Sequence, residues 1–298
     1  MEDQLLRPLL RQAQDQLMAV NAVQVYRGGE KVAAFNRLGA APRLNAWSVS
    51  KSFVSVGVGI AMEEGLLSLD ESVCDAFPEF VPDNPSPNLT AVTVRHLLTM
   101  TTGLADALFF GDDPQRYVTR DWLRHFFTAD FDRAPGERFL YSNFNTYLLG
   151  CLIERRSGAG LAEYLRPRLF EPLGIYSPDW TCCPMGHCHA ANGLYVTIDE
   201  LARFGLLLLG RGEYGGRRVV SAAYLAEACR NQVPVSPENP AYGYQFWMNP
   251  EGDGYAAQGK YGQFVIVLPR TNTLVVAQSL DARVGFDLFW NGLARELA

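Results

Sequence analysis

NAWSVSKSFVSVGVGIAMEEG, residues 45–65, places Ser48 and Lys51 three positions apart at the head of a segment that turns apolar. Residues 53–62 have no sustained polar face, and a helix apolar nearly all round is a buried one. The stretch therefore reads as a buried helix from about Ser48 to Glu64, ended by Gly65. At i and i+3 the serine and the lysine share a face. Helical side chains lean toward the N-terminus, so Lys51 reaches back to Ser48. The first turn has free N–H groups and the positive end of the helix dipole, both of which favour developing negative charge. A lysine in apolar surroundings gives up its proton more readily. Together these features describe a serine nucleophile activated by a lysine in place of a histidine. Ser-x-x-Lys also occurs by chance on solvated helices, so its context has to carry the assignment.

Upstream, AVQVYRG and KVAAFNR flank Gly28-Gly29-Glu30 and predict a β-hairpin, preceded by an amphipathic helix over residues 3–19. Downstream, VTVRHLLTM, RDWLRHFFTAD, NTYLLGCLIERRSG and LAEYLRPRLF predict helices joined by Pro-rich connections. TIDELARFGLLLLG, capped by Thr197, and SAAYLAEACRN predict two more. YGYQFWMN, GYAAQGK, GQFVIVLP and NTLVVAQSL then read as strands with short turns, hence antiparallel, before a last helix FDLFWNGLAREL. The expected fold class is α+β, an antiparallel sheet flanked by helices with an all-α insertion. Residues 1–69 and 196–298 are expected to form the sheet subdomain and 70–195 the mostly helical one, with the active site in the cleft between them.

The 298 residues carry 26 basic and 32 acidic side chains, for a formal net charge of −6, with no Lys/Arg run. That argues against nucleic acid or an anionic membrane as the main partner. The longest apolar runs fall short of the roughly 20 residues that span a bilayer, and the first 20 residues lack the unbroken apolar stretch of a signal peptide. A cytoplasmic protein acting on a small molecule, without a cofactor, is expected.

Two further motifs follow in order. PGERFLYSNFN contains Tyr141-Ser142-Asn143, and GKYGQFVIVLP contains Lys260-Tyr261-Gly262, read as opening a strand. With Ser-x-x-Lys, and with VTVRHLLTMTTGL, TIDELARFGLLLLGRG and YGYQFWM around them, the sequence resembles a family of serine acyltransferases over roughly residues 20–280. It comprises penicillin-binding proteins, class C β-lactamases and their esterase, amidase and nylon-oligomer hydrolase relatives. The resemblance implies the β-lactamase/transpeptidase fold and a set of roles. Ser48 would be the nucleophile. Lys51 would take or orient its proton, and Tyr141 would act with Lys51 as base and later protonate the leaving group. Asn143 would bind the substrate's acyl-side amide. The N–H groups of Ser48 and Gln263 would form the oxyanion hole, Lys260 would bring positive charge to the cleft, and Gly262 would let substrate backbone come close. A phenol needs nearby cations to act as a base at neutral pH, and Lys51 and Lys260 are the candidates.

Tyr261 replaces the small hydroxyl residue that helps hold the substrate carboxylate in penicillin-recognising relatives, and the interval from Tyr141 to Lys260 is short for a class C β-lactamase. The expected activity is therefore hydrolysis of a small ester, amide or peptide through an acyl-enzyme. A penicillin-binding or sensor protein with little turnover, or a true class C-type β-lactamase, are the alternatives.

Six cysteines are present, three of them in TCCPMGHCH, residues 181–189, with His187 and His189. A structural zinc site takes two separated ligand pairs, and the sequence shows one cramped cluster, so no metal is expected there. GRGEYG, residues 210–215, matches Gly-x-Gly-x-x-Gly but follows a helix, so it reads as a helix end and turn rather than a dinucleotide loop.

Overall fold

The computed structural model describes residues 4–109, 115–236, 241–249 and 254–298. The strands, in chain order, are β1 (Val20–Arg27), β2 (Glu30–Asn36), β3 (Leu44–Asn45), β4 (Asp179–Trp180), β5 (Leu194–Val196), β6 (Glu213–Tyr214), β7 (Arg217–Arg218), β8 (Val233–Pro234), β9 (Ala241–Tyr242), β10 (Trp247–Met248), β11 (Tyr255–Gly259), β12 (Gln263–Leu268) and β13 (Thr273–Ser279). Eight of them form one antiparallel sheet in the order β2-β1-β13-β12-β11-β10-β9-β8. The N-terminal hairpin thus docks on the last strand, and both ends of the chain build one sheet.

The run QFVIVL explains why this sheet lies between two layers. Successive side chains of a strand point to opposite faces. Phe264, Ile266 and Leu268 of β12 enter one core with Val275 and Ala277 of β13. Val265 and Val267 enter the other with Leu274 and Val276. Both faces are covered, so neither strand alternates apolar with polar. The first core is closed by the Arg7–Asp15 helix and by the chain from Phe286 to Leu297. The second contains the Ser50–Glu63 and Ile198–Leu209 helices and the helices of residues 73–170. Phe53 stacks on Phe204 at 3.7 Å between ring centres, and burying such a ring stabilises by about 1.5–3 kcal/mol. Every residue from Ser50 to Ala61 is buried. The arrangement is α+β, an antiparallel sheet flanked by helices, as the sequence reading expects.

Three sequence expectations are corrected. The first helix spans Arg7–Asp15, not 3–19. YGYQFWMN is not one strand: β9 ends at Tyr242, β10 begins at Trp247, and between them Gln245 takes a left-handed φ of 66°. Its side chain explains the break. Gln245 Nε2 donates to the carbonyls of Leu97 and Leu98, at the end of the Val94–Leu98 helix, and Oε1 accepts from Thr146. Buried polar groups must find partners, and here a distant helix end and a glutamine satisfy each other at the expense of the ladder. Lys260 does not open a strand but lies in the turn between β11 and β12. As expected, Gly210 ends a helix, and Glu213–Tyr214 pairs with Arg217–Arg218.

Candidate active site

Trp47–Val49 form a single 3₁₀ turn, and the α-helix starts at Ser50. Ser48 therefore sits half-buried in a tighter turn just ahead of the α-helix, while Lys51 is fully inside. Lys51 Nζ lies 3.1 Å from Ser48 Oγ, 2.8 Å from Asn143 Oδ1 and 2.9 Å from the Ala191 carbonyl oxygen. Burial, with a smaller contribution from the Arg116 charge, holds the Lys51 ammonium well below the ordinary lysine range. A neutral amine has two N–H bonds and one lone pair. Asn143 Oδ1 and the Ala191 carbonyl can only accept, so they take the two N–H bonds. In the neutral form the lone pair would then face the Ser48 hydroxyl, the one partner with a proton to give.

The Asn143 orientation is set from behind, since its Nδ2 donates to the Phe109 carbonyl at 3.2 Å. Asn143 lines the cleft, but both ends of its amide are engaged by the protein. The structure shows it holding Lys51, a role the sequence reading had not assigned. Ser142 caps the Asn143–Ser157 helix by accepting from the Phe144 N–H, which fixes Tyr141 and Asn143 on either side of the cap.

Tyr141 is hydrogen-bonded to Ser48, and burial drives its phenol pKa well up. Its ring stacks on Trp247 at 5.6 Å, and Lys51 Nζ lies 4.9 Å from the ring centre. Lys260 stands on the exposed rim, with Nζ 6.0 Å from the Trp47 ring centre and 5.2 Å from that of Tyr261. Against the expectation that Lys51 and Lys260 would draw the phenol toward ionisation, Lys260 is on the rim and burial acts in the opposite direction. Desolvation outweighs the opposing hydrogen bond from Ser48 and favours the protonated phenol.

Two glycines bring the third motif to the serine. A Cβ on Gly259 would lie 2.4 Å from the Ala46 carbonyl oxygen, so only glycine lets β11 close on the backbone next to Trp47 and Ser48. Gly259 pairs with Gln263, which places the start of β12 beside that turn. Gly262 has φ +78°, and a Cβ there would strike Val284 Cγ1 at 2.6 Å and Ser279 Cβ at 2.7 Å. Packing within the chain already requires glycine there. Gln263 Nε2 donates to the carbonyls of Tyr261 and Ser279, tying the turn to β13. Trp47 and Tyr261, both with left-handed φ (49° and 61°), meet at 5.0 Å between ring centres.

These elements enclose a cleft of about 780 Å³. Ser48, Tyr141, Asn143, Lys260 and Tyr261 line it, with Trp47 and Trp247 as aromatic walls. Sequence reasoning missed Asn45, Ala191, Arg116, His189 and Asn192. Asn45 Oδ1 accepts from the Trp47 and Gly193 N–H groups, fixing the backbone ahead of Ser48. Arg116 contacts His189 and Asn192 on the opposite wall. No spacing in the sequence marks these residues, because each acts through a partner far along the chain.

The Cys/His loop does not gather its cysteines. Cys182 is exposed and opposes Cys188, while Cys183 is buried against the Tyr147 hydroxyl at 3.3 Å. His187 turns to helix residue Glu154, with Nδ1 2.5 Å from Oε2. Cys151, Glu154 and His187 each place a donor atom within 4.8 Å of the others, and the other Glu154 oxygen is held by the Leu161 N–H. Among the described residues no helix is long and apolar enough to cross a membrane.

Comparison with known proteins bears on the family and the fold. The chain is 28% identical over 291 residues to the 6-aminohexanoate-dimer hydrolase of Paenarthrobacter ureafaciens, covering 87% of this chain and 72% of that protein. It is 32% identical over 141 residues to esterase EstB of Burkholderia gladioli, a match covering 43% of this chain and 36% of EstB. The fold superposes on EstCE1, a hydrolase with promiscuous acyltransferase activity, with a TM-score of 0.76, 19% identity and 98% of each chain covered. The family model described as Beta-lactamase matches residues 6–282, and the chain belongs to that family.

Proposed function

We propose that the protein is a serine hydrolase that turns over a small ester or amide through an acyl-enzyme on Ser48. The observation that carries this reading is the position of Lys51 Nζ, with two acceptors behind it and the Ser48 hydroxyl in front. Ser48 Oγ attacks the substrate carbonyl as its proton passes to Lys51. The N–H groups of Ser48 and Gln263, neighbours through Gly259, stabilise the oxyanion. When the intermediate collapses, the proton returns through the Tyr141 hydroxyl to the departing alcohol or amine. Water then repeats the sequence and frees Ser48. In this reading Lys51 is the base and Tyr141 a protonated relay, and the downward shift of the lysine and upward shift of the phenol on burial support that division. The relatedness to a 6-aminohexanoate-dimer hydrolase and to an esterase supports hydrolysis in general. Tyr261, packed on Trp47 at the rim, favours slender esters over β-lactams.

The test is a short p-nitrophenyl ester followed by release of p-nitrophenol and by intact mass. Continuous turnover with an acyl adduct on Ser48 is expected. A single stoichiometric burst would instead identify an acylated binding protein. Efficient cephalosporin hydrolysis with negligible esterase activity would identify a β-lactamase.

A further inference from the structure

The TCCPMGHCH loop has no part in that chemistry, yet it borders the cleft, since Thr181 and His189 at its two ends both line it. Its backbone closes as a narrow antiparallel turn. The Cys183 N–H donates to the His187 carbonyl, and the His189 N–H to the Thr181 carbonyl, each at 2.8 Å. These two bonds bracket Cys182 and Cys188, which face one another as a directly opposed pair not bonded through their own backbone groups. In such pairs the Cα atoms approach to about 4.5 Å, inside the roughly 4.4–6.8 Å that a disulfide spans. The exposed Cys182 thiol donates to the Trp180 carbonyl at 3.5 Å, so among the described residues no other side chain holds it away from Cys188. Cys183 points to the opposite side of the strand, into the core against Tyr147.

We propose that Cys182 and Cys188 form a reversible cross-strand disulfide, with a low-molecular-weight disulfide such as oxidised glutathione as the oxidant. The exposed Cys182 opens the exchange. Its thiolate attacks one sulfur of the oxidant and expels a small thiolate, leaving a mixed disulfide. Cys188, its thiol pushed up in pKa by burial, then loses its proton as its sulfur attacks Cys182 Sγ and displaces the second small thiolate. Two protein thiols are oxidised and one small disulfide is reduced to two thiols. Because the strands are already in register, the bond forms without moving them, and it restricts the unfolded chain. The product staples the strand pair that leads from Thr181 to His189. This inference rests on backbone register and is independent of the reaction assigned to Ser48.

The experiment equilibrates the full chain with oxidised glutathione, alkylates the remaining thiols, and maps the digest by fragment masses. A loss of two hydrogens linking Cys182 to Cys188 is expected, absent in Cys182→Ser, retained in Cys183→Ser and reversed by dithiothreitol. The oxidised protein should melt roughly 3–6 °C above the reduced one, with no such rise in Cys182→Ser. Thiols that all remain alkylatable, a bond mapped to Cys182–Cys183 or Cys183–Cys188, or an oxidised form that melts no higher would overturn the proposal.

Discussion

Lys51 Nζ donates to the carbonyl oxygen of Ala191 at 2.9 Å across 140 positions of sequence. This contact, with that to Asn143, determines where the lysine lone pair points. In the proposed mechanism, a carbonyl behind the amine and a hydroxyl in front aim the nitrogen, as base, at one atom. Its burial keeps the unprotonated form accessible.

Replacing Lys51 with Met removes that base while retaining most of the side-chain volume. The rate kcat/KM should fall by about 10²–10⁴-fold, the usual worth of general-base assistance. A near-wild-type value would show the lysine to be structural.

The same burial has a signature in stability. The folded pKa of Lys51 lies below its unfolded value, so between those two values the unfolded chain binds more protons and stability rises with pH. Below the folded value the whole penalty applies, and above the unfolded value it vanishes. Lys51→Met lacks this penalty. Its melting temperature relative to wild type should therefore be most favourable at low pH and become less so as pH rises through the window. Parallel melting curves at every pH would contradict the assigned direction. In the wild type, kcat/KM should decline on acidification with an inflection below the ordinary lysine range.

Tyr141→Phe keeps the stacking on Trp247 and loses the hydroxyl bonded to Ser48. A kinetic loss of about 10²–10⁴-fold is expected for the missing proton relay, with little change in melting temperature. An unchanged rate would remove Tyr141 from the mechanism.

Ser48 can be separated from its neighbours with a fluorophosphonate probe. Ser50, Ser52 and Ser55 are buried, Ser52 Oγ donates to the Gln245 carbonyl, and Ser55 Oγ meets the Tyr224 hydroxyl. Only the Ser48→Ala variant should lose labelling, and the other three alanine variants should still label. Labelling that persists in Ser48→Ala would sink the assignment.

Gly259→Ala would set a Cβ 2.4 Å from the Ala46 carbonyl oxygen. Relieving that clash must move β11 away from the turn before Ser48. A loss of about 1–3 kcal/mol in stability is expected, as for overpacking in general, together with slower probe labelling. Denaturant melts and labelling rates would measure both effects, and wild-type values for the pair would show that the strand yields freely.

The sequence alone determined the local elements and the central pair. QFVIVL and NTLVVAQS read as strands, and FVSVGVGIAM as a buried helix, and the structure has them so. The spacing of Ser48 and Lys51 is likewise a local fact, because one helical turn joins them. Tertiary structure decided the rest, through contacts whose partners lie far apart in the chain. The Ala191 carbonyl and Asn143 Oδ1 direct Lys51, Asn45 ties Trp47 to Gly193, and Gln245 breaks a predicted strand to cap a helix about 150 residues earlier. Burial of Tyr141 likewise came only with the fold, and it raises a phenol's pKa whatever cations the motifs place near it in sequence. Periodicity records which face of an element is buried. It does not record which backbone carbonyl will stand behind a side chain once the faces have met, as the Ala191 carbonyl stands behind Lys51.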